Sequence, residues 1–136
     1  MIATRQQTTQ APSTISDADT TVAELRQCVA EFVSARAWEQ FHTPKNLSAA
    51  IAIEAAELME HFQWLTIEQA AAAVQDDEKR AAVADELADV FIYGLSLANA
   101  LDLDVSAVVL AKLVRNEQRF PVEEWRGRAR GLEGTR

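Results

Sequence analysis

IAIEAAELMEHFQW, residues Ile51 to Trp64, is the stretch that decides the fold of this chain. Its apolar majority predicts a helix. Two acids, Glu54 and Glu57, nevertheless lie on the face of the apolar residues Leu47, Ile51 and Leu58. About 100° of rotation per residue places all five positions within roughly a third of the helix circumference. Burying a carboxylate costs free energy of folding unless another group compensates its charge. We therefore expect a positively charged partner near Glu54 and Glu57.

A second predicted helix repeats the pattern with Glu86 and Asp89, which share a face with Val83, Val90, Tyr93 and Leu97. Residues three apart lie on neighbouring turns, so each acidic pair can point at one place. If the two helices are antiparallel neighbours, four carboxylates converge on a hard divalent cation, for which Mg²⁺ is the predicted occupant because it also bridges to substrate phosphates. A solvated acidic face is the alternative for either pair taken alone.

A di-iron carboxylate site is disfavoured. Ferritin-like sites need Glu-x-x-His on two helices. The histidine nearest to Glu57 is His61, four residues later, and the second acidic helix has none.

Composition limits the class of protein. The chain has 136 residues, of which 49% are hydrophobic, with four glycines, three prolines and one cysteine. These numbers predict one helical domain without a disulfide. The net charge of −8 disfavours binding to a nucleic acid polymer. No apolar run has the length of a membrane span and no secretory signal is seen, so we expect a cytoplasmic protein without membrane association.

The predicted organisation is a disordered segment at 1–19, a helical domain at 20–125 and a flexible tail at 126–136. Helical periodicity and capping residues predict an all-α antiparallel bundle of four main helices plus a short connecting helix. The main helices are expected from after Asp19 or Thr20 to about Glu39, from Asn46 to Trp64 or Leu65, from about Glu78 to Leu101, and from 105 to 120. Thr66 and Gln69 resemble a capping box that starts the short helix. Asp76 or Asp77 is expected to cap the helix that follows, and Asp104 is expected to cap the last one.

The loop WEQFHTPKN, Trp38 to Asn46, is expected to carry recognition groups, since Pro44 interrupts the helical pattern there. Trp38, His42 and Lys45 are predicted to contact substrate. The alternative is a plain connection whose aromatic residues fill the core. The last helix carries Lys112, Arg115, Asn116 and Arg119 at helical spacing. Lys112 and Asn116 share a face and suit phosphate oxygens. The alternative is that the basic residues of this group form ordinary salt bridges with acidic neighbours.

Four segments in order resemble the MazG-like all-α nucleoside triphosphate pyrophosphohydrolases, and most closely their dCTP pyrophosphatase branch. They are RAWEQFHTPKNL (36–47), EAAELMEHFQW (54–64), DELADVFIYGLSLA (85–98) and AKLVRNEQRFP (111–121). The resemblance implies Mg²⁺ at the acids Glu54, Glu57, Glu86 and Asp89. It also implies a nucleotide pocket at Trp38, His42, Trp64 and Tyr93, with Lys112 and Asn116 near the substrate. Family members are dimers or tetramers whose neighbouring subunits complete the site, so a homodimer or homotetramer is expected.

The implied reaction is hydrolysis of a nucleoside triphosphate between the α- and β-phosphates, which yields a monophosphate and pyrophosphate. The expected substrate is dCTP or a modified pyrimidine deoxynucleotide, and Glu57 or Glu86 is the expected group that orients or deprotonates the attacking water. Two alternatives stay open: a non-catalytic helical interaction module, and the same fold acting on a different substrate such as a phosphoribosyl-nucleotide.

Overall fold

The computed structural model describes residues 15–128, and all regular structure in this range is helical. The all-α class is therefore confirmed. The helices are α1 (Val22–Ser34), α2 (Pro44–Glu60), α3 (Ile67–Ala73), α4 (Asp77–Ala100), α5 (Val105–Arg119) and α6 (Val122–Trp125). Four are long and α3 is the predicted short connection. The single turn α6 was not predicted.

Three predicted helix starts are confirmed by side-chain caps. Thr66 and Gln69 form a reciprocal capping box at α3, in which each side chain accepts from the other residue's backbone N–H. Asp76 accepts from the N–H of Lys79 at the start of α4, and Asp104 accepts from the N–H of Ala107 at the start of α5. These caps satisfy N–H groups that have no partner inside the helix.

The predicted ends of α1 were wrong. Thr21, rather than Asp19 or Thr20, caps the helix through a capping box with Glu24. The helix stops at Ser34 instead of continuing to Glu39, because Ala37 adopts a left-handed φ of 52°. The Trp38 N–H then donates to the Val33 carbonyl at 3.1 Å, which closes the helix end in the manner usually made by glycine.

The predicted start of α2 was also wrong. Thr43 is the N-cap, and its side chain accepts from the backbone N–H of Asn46. Pro44 occupies the first helical position, where its missing N–H costs nothing, so it opens the helix rather than interrupting it. The regular helix ends at Glu60, and a turn carries the chain on towards Leu65.

Helix α4 is the centre of the packing, with α2 and α1 against it. Helices α2 and α4 run antiparallel, because Glu57 lies near Glu86 while His61, further along α2, meets the earlier Lys79 at 2.9 Å. Arg26 and Asn99 join α1 to α4 through two hydrogen bonds, of 2.9 and 3.0 Å.

The hydrophobic core of the described chain is small. Val33, Leu47 and Ala98 are its buried apolar residues. Most of the larger apolar side chains are exposed, and α5 presents five of them: Val108, Val109, Leu110, Leu113 and Val114. Within residues 15–128, α5 makes only marginal contacts with the other helices. A closed four-helix bundle within one chain therefore stays a prediction.

The predicted terminal segments fall largely outside the described residues, since 1–14 and 129–136 are not included. Residues 15–19 are exposed, and Ser16 donates a hydrogen bond to Asp19 at 2.6 Å within a short turn. Among the described helices, none combines the length and the apolar character needed to cross a bilayer.

Candidate active site

The acids on α2 and α4 meet across the interface of these two helices. Glu54, Glu57 and Glu86 each contribute a carboxylate oxygen, and these three oxygens lie within 4.8 Å of one another. Glu54 and Glu86 are half-buried and Glu57 is exposed. Regular helix spacing produces this arrangement, because Glu54 and Glu57 occupy neighbouring turns of α2 that face α4. Three converging carboxylates form a donor set that can hold a divalent cation.

The electrostatics of the cluster also suit a cation. Partial burial, followed by the charges of Glu57, Asp89 and Glu86, raises the pKa of Glu54 above its ordinary value. Like charges held together disfavour ionisation, whereas a bound cation would reverse that effect. The donor oxygens and their mutual repulsion therefore fit a hard metal ion.

Asp89, the fourth predicted ligand, lies one turn further along α4. Its carboxylate is not among the three whose oxygens lie within 4.8 Å of one another, although its negative charge still acts on Glu54. Asp89 also lines a cavity of about 220 Å³ whose other walls are Phe32, Val33, Trp38, His42, Ile92, Tyr93 and Ser96. This side chain thus joins the acidic cluster to the cavity, which is called the aromatic pocket below.

Aromatic rings form much of the pocket wall. The ring centroids of Trp38 and His42 are 6.2 Å apart, and those of His42 and Tyr93 are 6.5 Å apart. Phe32 meets Trp38 edge to face at 5.8 Å. The guanidinium of Arg36 covers the outer face of Phe32 at 3.6 Å, a cation–π contact that holds this wall in place.

Local backbone structure explains how the loop presents Trp38 and His42. The left-handed turn at Ala37 directs the chain back from the end of α1 towards α4. The His42 N–H donates to the Trp38 carbonyl at 3.1 Å, so the two residues belong to one tight turn. The side-chain amide of Asn46 then donates to the Phe41 carbonyl at 2.9 Å and ties the loop to α2.

Other predicted site residues are not brought to this pocket by the chain itself. Trp64 is 86% exposed on the turn after α2. Lys45 and Lys112 are exposed and Asn116 is half-buried. None of these four side chains lines the aromatic pocket.

Ser96, Phe32 and Ile92 line the pocket and were not predicted as site residues. The position of Ser96 was predictable from the sequence, because Ser96 follows Asp89 by seven residues and Tyr93 by three, which places it on the same face of α4. Phe32 had none, since its position depends on how α1 packs against α4.

Comparison with known proteins supports the sequence resemblance. The MazG-like family matches residues 49–131. The rat protein dCTP pyrophosphatase 1 is 40% identical over 109 residues, which are 80% of this chain and 64% of the relative. The human protein of the same name is 38% identical over 123 residues, or 90% of this chain and 72% of the relative. The chain thus spans 64% of the length of the rat relative.

A solved structure gives the same result. A pyrophosphatase from Archaeoglobus fulgidus DSM 4304 superposes with a TM-score of 0.70 at 34% identity, covering 79% of this chain and 99% of that one. The residues matched by the family, 49–131, include both acidic pairs, all of α4 and most of α2. The predicted family is confirmed: this chain belongs to the MazG-like family.

Proposed function

We propose that this protein is a nucleoside triphosphate pyrophosphohydrolase that cleaves the bond between the α- and β-phosphates. The observation that carries the proposal is an acidic cluster beside an aromatic pocket, since Asp89 lines the pocket and its charge acts on Glu54 of the cluster. A divalent cation at the cluster suits phosphates, and flat aromatic walls suit a base. The relatives named dCTP pyrophosphatase 1 make dCTP, or a modified pyrimidine deoxynucleotide, the proposed substrate.

Glu54, Glu57, Glu86 and Asp89 would hold Mg²⁺. When bound, the ion would neutralise phosphate oxygens and lower the pKa of a water molecule. The identity of the metal is part of the proposal, since the carboxylate oxygens suit hard divalent cations in general.

The carboxylates also provide the proton acceptor for hydrolysis. Glu57 or Glu86 would orient the attacking water and accept its proton, since both side chains lie at the cluster. The oxygen of that water forms a bond to the α- or the β-phosphorus, and the bond from that phosphorus to the bridging oxygen breaks. The products are a nucleoside monophosphate and pyrophosphate.

Trp38, His42 and Tyr93 would enclose the base, because their rings surround one cavity. Lys45, Lys112 and Asn116 would contact phosphate oxygens. Since none of these three lines the pocket within this chain, their role requires a further surface close to the site.

A second copy of this chain is the proposed source of that surface, in a homodimer or homotetramer. Five large apolar side chains are exposed on α5, and clustered apolar surface of this kind is typical of an association site. Gly94, in the middle of α4, lines an apolar cavity of about 410 Å³ with Val105 and Val108 of α5. A methyl group at Gly94 would meet no atom within 4 Å, so the open space there suits a neighbouring chain. The exposed Trp64 would then reach a neighbouring pocket.

The test is to mix purified protein with Mg²⁺ and each deoxynucleoside triphosphate, then measure pyrophosphate and monophosphate together. We expect Mg²⁺-dependent release of both from a pyrimidine deoxynucleotide, and none in the presence of a chelator. The absence of turnover with all canonical and modified nucleotides would overturn the proposal. Release of phosphate in place of pyrophosphate would overturn the assigned bond.

The alternatives predict different results in the same experiments. A non-catalytic interaction module predicts that Mg²⁺ changes neither the melting temperature nor nucleotide affinity. An enzyme for another substrate, such as a phosphoribosyl-nucleotide, predicts metal-dependent turnover of that substrate and no turnover of dCTP. The proposal also places the protein in the cytoplasm, with neither a nucleic acid polymer nor a membrane as its partner.

A further inference from the structure

Ser96 carries a buried hydroxyl group that has no hydrogen-bond partner. The residue is 5% exposed, and its Oγ is one of two buried side-chain polar atoms without a partner among the described residues. The other is Nδ1 of His42. Buried polar groups are normally paired, because leaving one unpaired costs free energy of folding. Two such atoms beside one cavity are candidate partners for a bound ligand.

Both residues line the aromatic pocket, and both also line an adjoining cavity of about 480 Å³. Val33 is the third wall that the two cavities share. Ser96 and His42, with their two polar atoms, therefore lie where the two cavities adjoin. A planar ligand that enters between the aromatic walls would have its edge near these atoms.

The position of Ser96 on α4 separates it from the acids. Asp89, Tyr93 and Ser96 follow one another at spacings of four and three residues, so they lie along one face of the helix. Seven residues span about 10 Å of helix. A nucleotide whose phosphates lie at the acidic end would therefore extend its base towards Ser96.

We propose that Ser96 is a specificity-determining residue whose hydroxyl hydrogen-bonds the polar edge of the substrate base, with His42 Nδ1 as its companion. This inference rests on the proposed function. A serine hydroxyl both donates and accepts, and a pyrimidine edge presents an amino or carbonyl group beside a ring nitrogen. A site whose buried polar groups need pairing discriminates strongly against a ligand that leaves them unpaired.

The test compares wild type with Ser96→Ala and with Ser96→Cys, which keeps the volume but weakens the hydrogen bond. Calorimetry measures the affinity for dCMP, which contains the base, and for pyrophosphate with Mg²⁺, which does not. Kinetics measure kcat/KM for dCTP. We expect each variant to lose about 10-fold in dCMP affinity and in kcat/KM, with unchanged pyrophosphate affinity. Neither variant should lower the melting temperature without ligand, because the hydroxyl has no partner to lose.

Ser34→Ala is the matched control. Ser34 lines the adjoining cavity but not the aromatic pocket, so its loss should leave all four measurements unchanged. Unchanged dCMP affinity in both Ser96 variants would overturn the inference. Equal losses for dCMP and pyrophosphate, or a lower melting temperature, would assign Ser96 a structural role and overturn it as well. Ser96-dependent dCMP binding without turnover of any triphosphate would uphold the inference while the proposed reaction fails.

Discussion

The α2–α4 interface and the exposed face of α5 carry opposite kinds of side chain, acidic at the interface and apolar on α5. At the interface, Glu54, Glu57 and Glu86 are brought together by helices that pack within one chain. On α5, apolar side chains such as Leu110 and Leu113 are 62% and 50% exposed. At the interface, charged side chains occupy positions that are normally apolar. On α5, apolar side chains occupy exposed positions that are normally polar. Each arrangement is unfavourable by itself, and its chemistry indicates the kind of partner that would stabilise it.

The comparison separates two requirements of the proposed function. The interface would be completed by a cation, which removes the repulsion among the acids. The α5 face would be completed by a second chain, which removes apolar surface from water. The acidic cluster therefore belongs to a single chain, whereas the proposed roles of Trp64 and Lys112 depend on association with a second chain.

The largest expected effect is at the interface. Replacing the carboxylate of Glu57 by an amide in Glu57→Gln should lower kcat for dCTP by about 10²–10⁴-fold, because a metal ligand and candidate proton acceptor is lost. Pyrophosphate release measures the rate, and far-UV circular dichroism should show unchanged helicity. Glu60→Gln is the control, since Glu60 is exposed at the end of α2 and outside the cluster. Equal rates for the two variants would contradict the assignment of Glu57.

The next effect concerns α5. A charge at Leu113, in Leu113→Asp, should convert the oligomer to a smaller species, because an interface core does not accept an unpaired carboxylate. Light scattering after gel filtration measures the mass. Gln118→Asp adds the same charge at an exposed polar position of α5 and should leave the mass unchanged. A wild-type protein that is monomeric at high concentration would remove the role we give to this face.

Mg²⁺ should stabilise the folded chain only by binding at the acidic cluster of the α2–α4 interface. A ligand present at 100 times its Kd raises the free energy of unfolding by about 2.7 kcal/mol. We expect a higher melting temperature with Mg²⁺ than with NaCl of equal ionic strength, and little difference between the two salts in Glu57→Gln. The same gain in both proteins would mean that the ion binds elsewhere.

The smallest effect is the pH dependence of Glu54. Its pKa is raised from 4.5 in the folded chain without metal, so the folded state binds this proton more readily than the unfolded state. The resulting stability is present at pH below 4.5 and is lost as pH rises through the raised pKa. Solvent screening keeps the effect small, because the side chain is only half-buried.

Glu54→Gln isolates this contribution, since an amide does not titrate. Without Mg²⁺, the melting temperature of wild type should fall relative to that of Glu54→Gln as pH rises above 4.5. Parallel curves for the two proteins would show that neither partial burial nor the neighbouring acids raise the pKa of Glu54.

Much of the fold was predictable because helix caps and helical periodicity are local. Thr66, Asp76 and Asp104 cap the helices as predicted. Two boundaries failed for different reasons: Ala37 closes α1 in a left-handed conformation that alanine seldom adopts, whereas Pro44 opens α2 at the first helical position, a favoured place for proline that the prediction overlooked. A closing residue in that conformation is usually glycine, so an alanine there provides no signal in the sequence.

The candidate site also has a part that the sequence predicted and a part that only the packing of the helices decided. Spacing of three residues placed Glu54 beside Glu57 before any packing was known, and the family resemblance pointed to Trp38, His42 and Tyr93. Spacing did not reveal that Asp89 would stand between the cluster and the pocket, or that Phe32 would close the pocket wall. Those positions follow from the packing of α1 and α4, which a one-dimensional pattern does not contain.

The sequence by itself determined the helical class, the acidic faces and the family, because periodicity, capping and motif order are properties of neighbouring residues. Only the tertiary structure decided that three carboxylates meet within 4.8 Å, that Ser96 is buried without a partner among residues 15–128, and that α5 keeps its apolar face exposed there. The physical reason is that burial and convergence depend on which helix faces touch. That choice is made by packing across the whole chain and not by any single stretch of it.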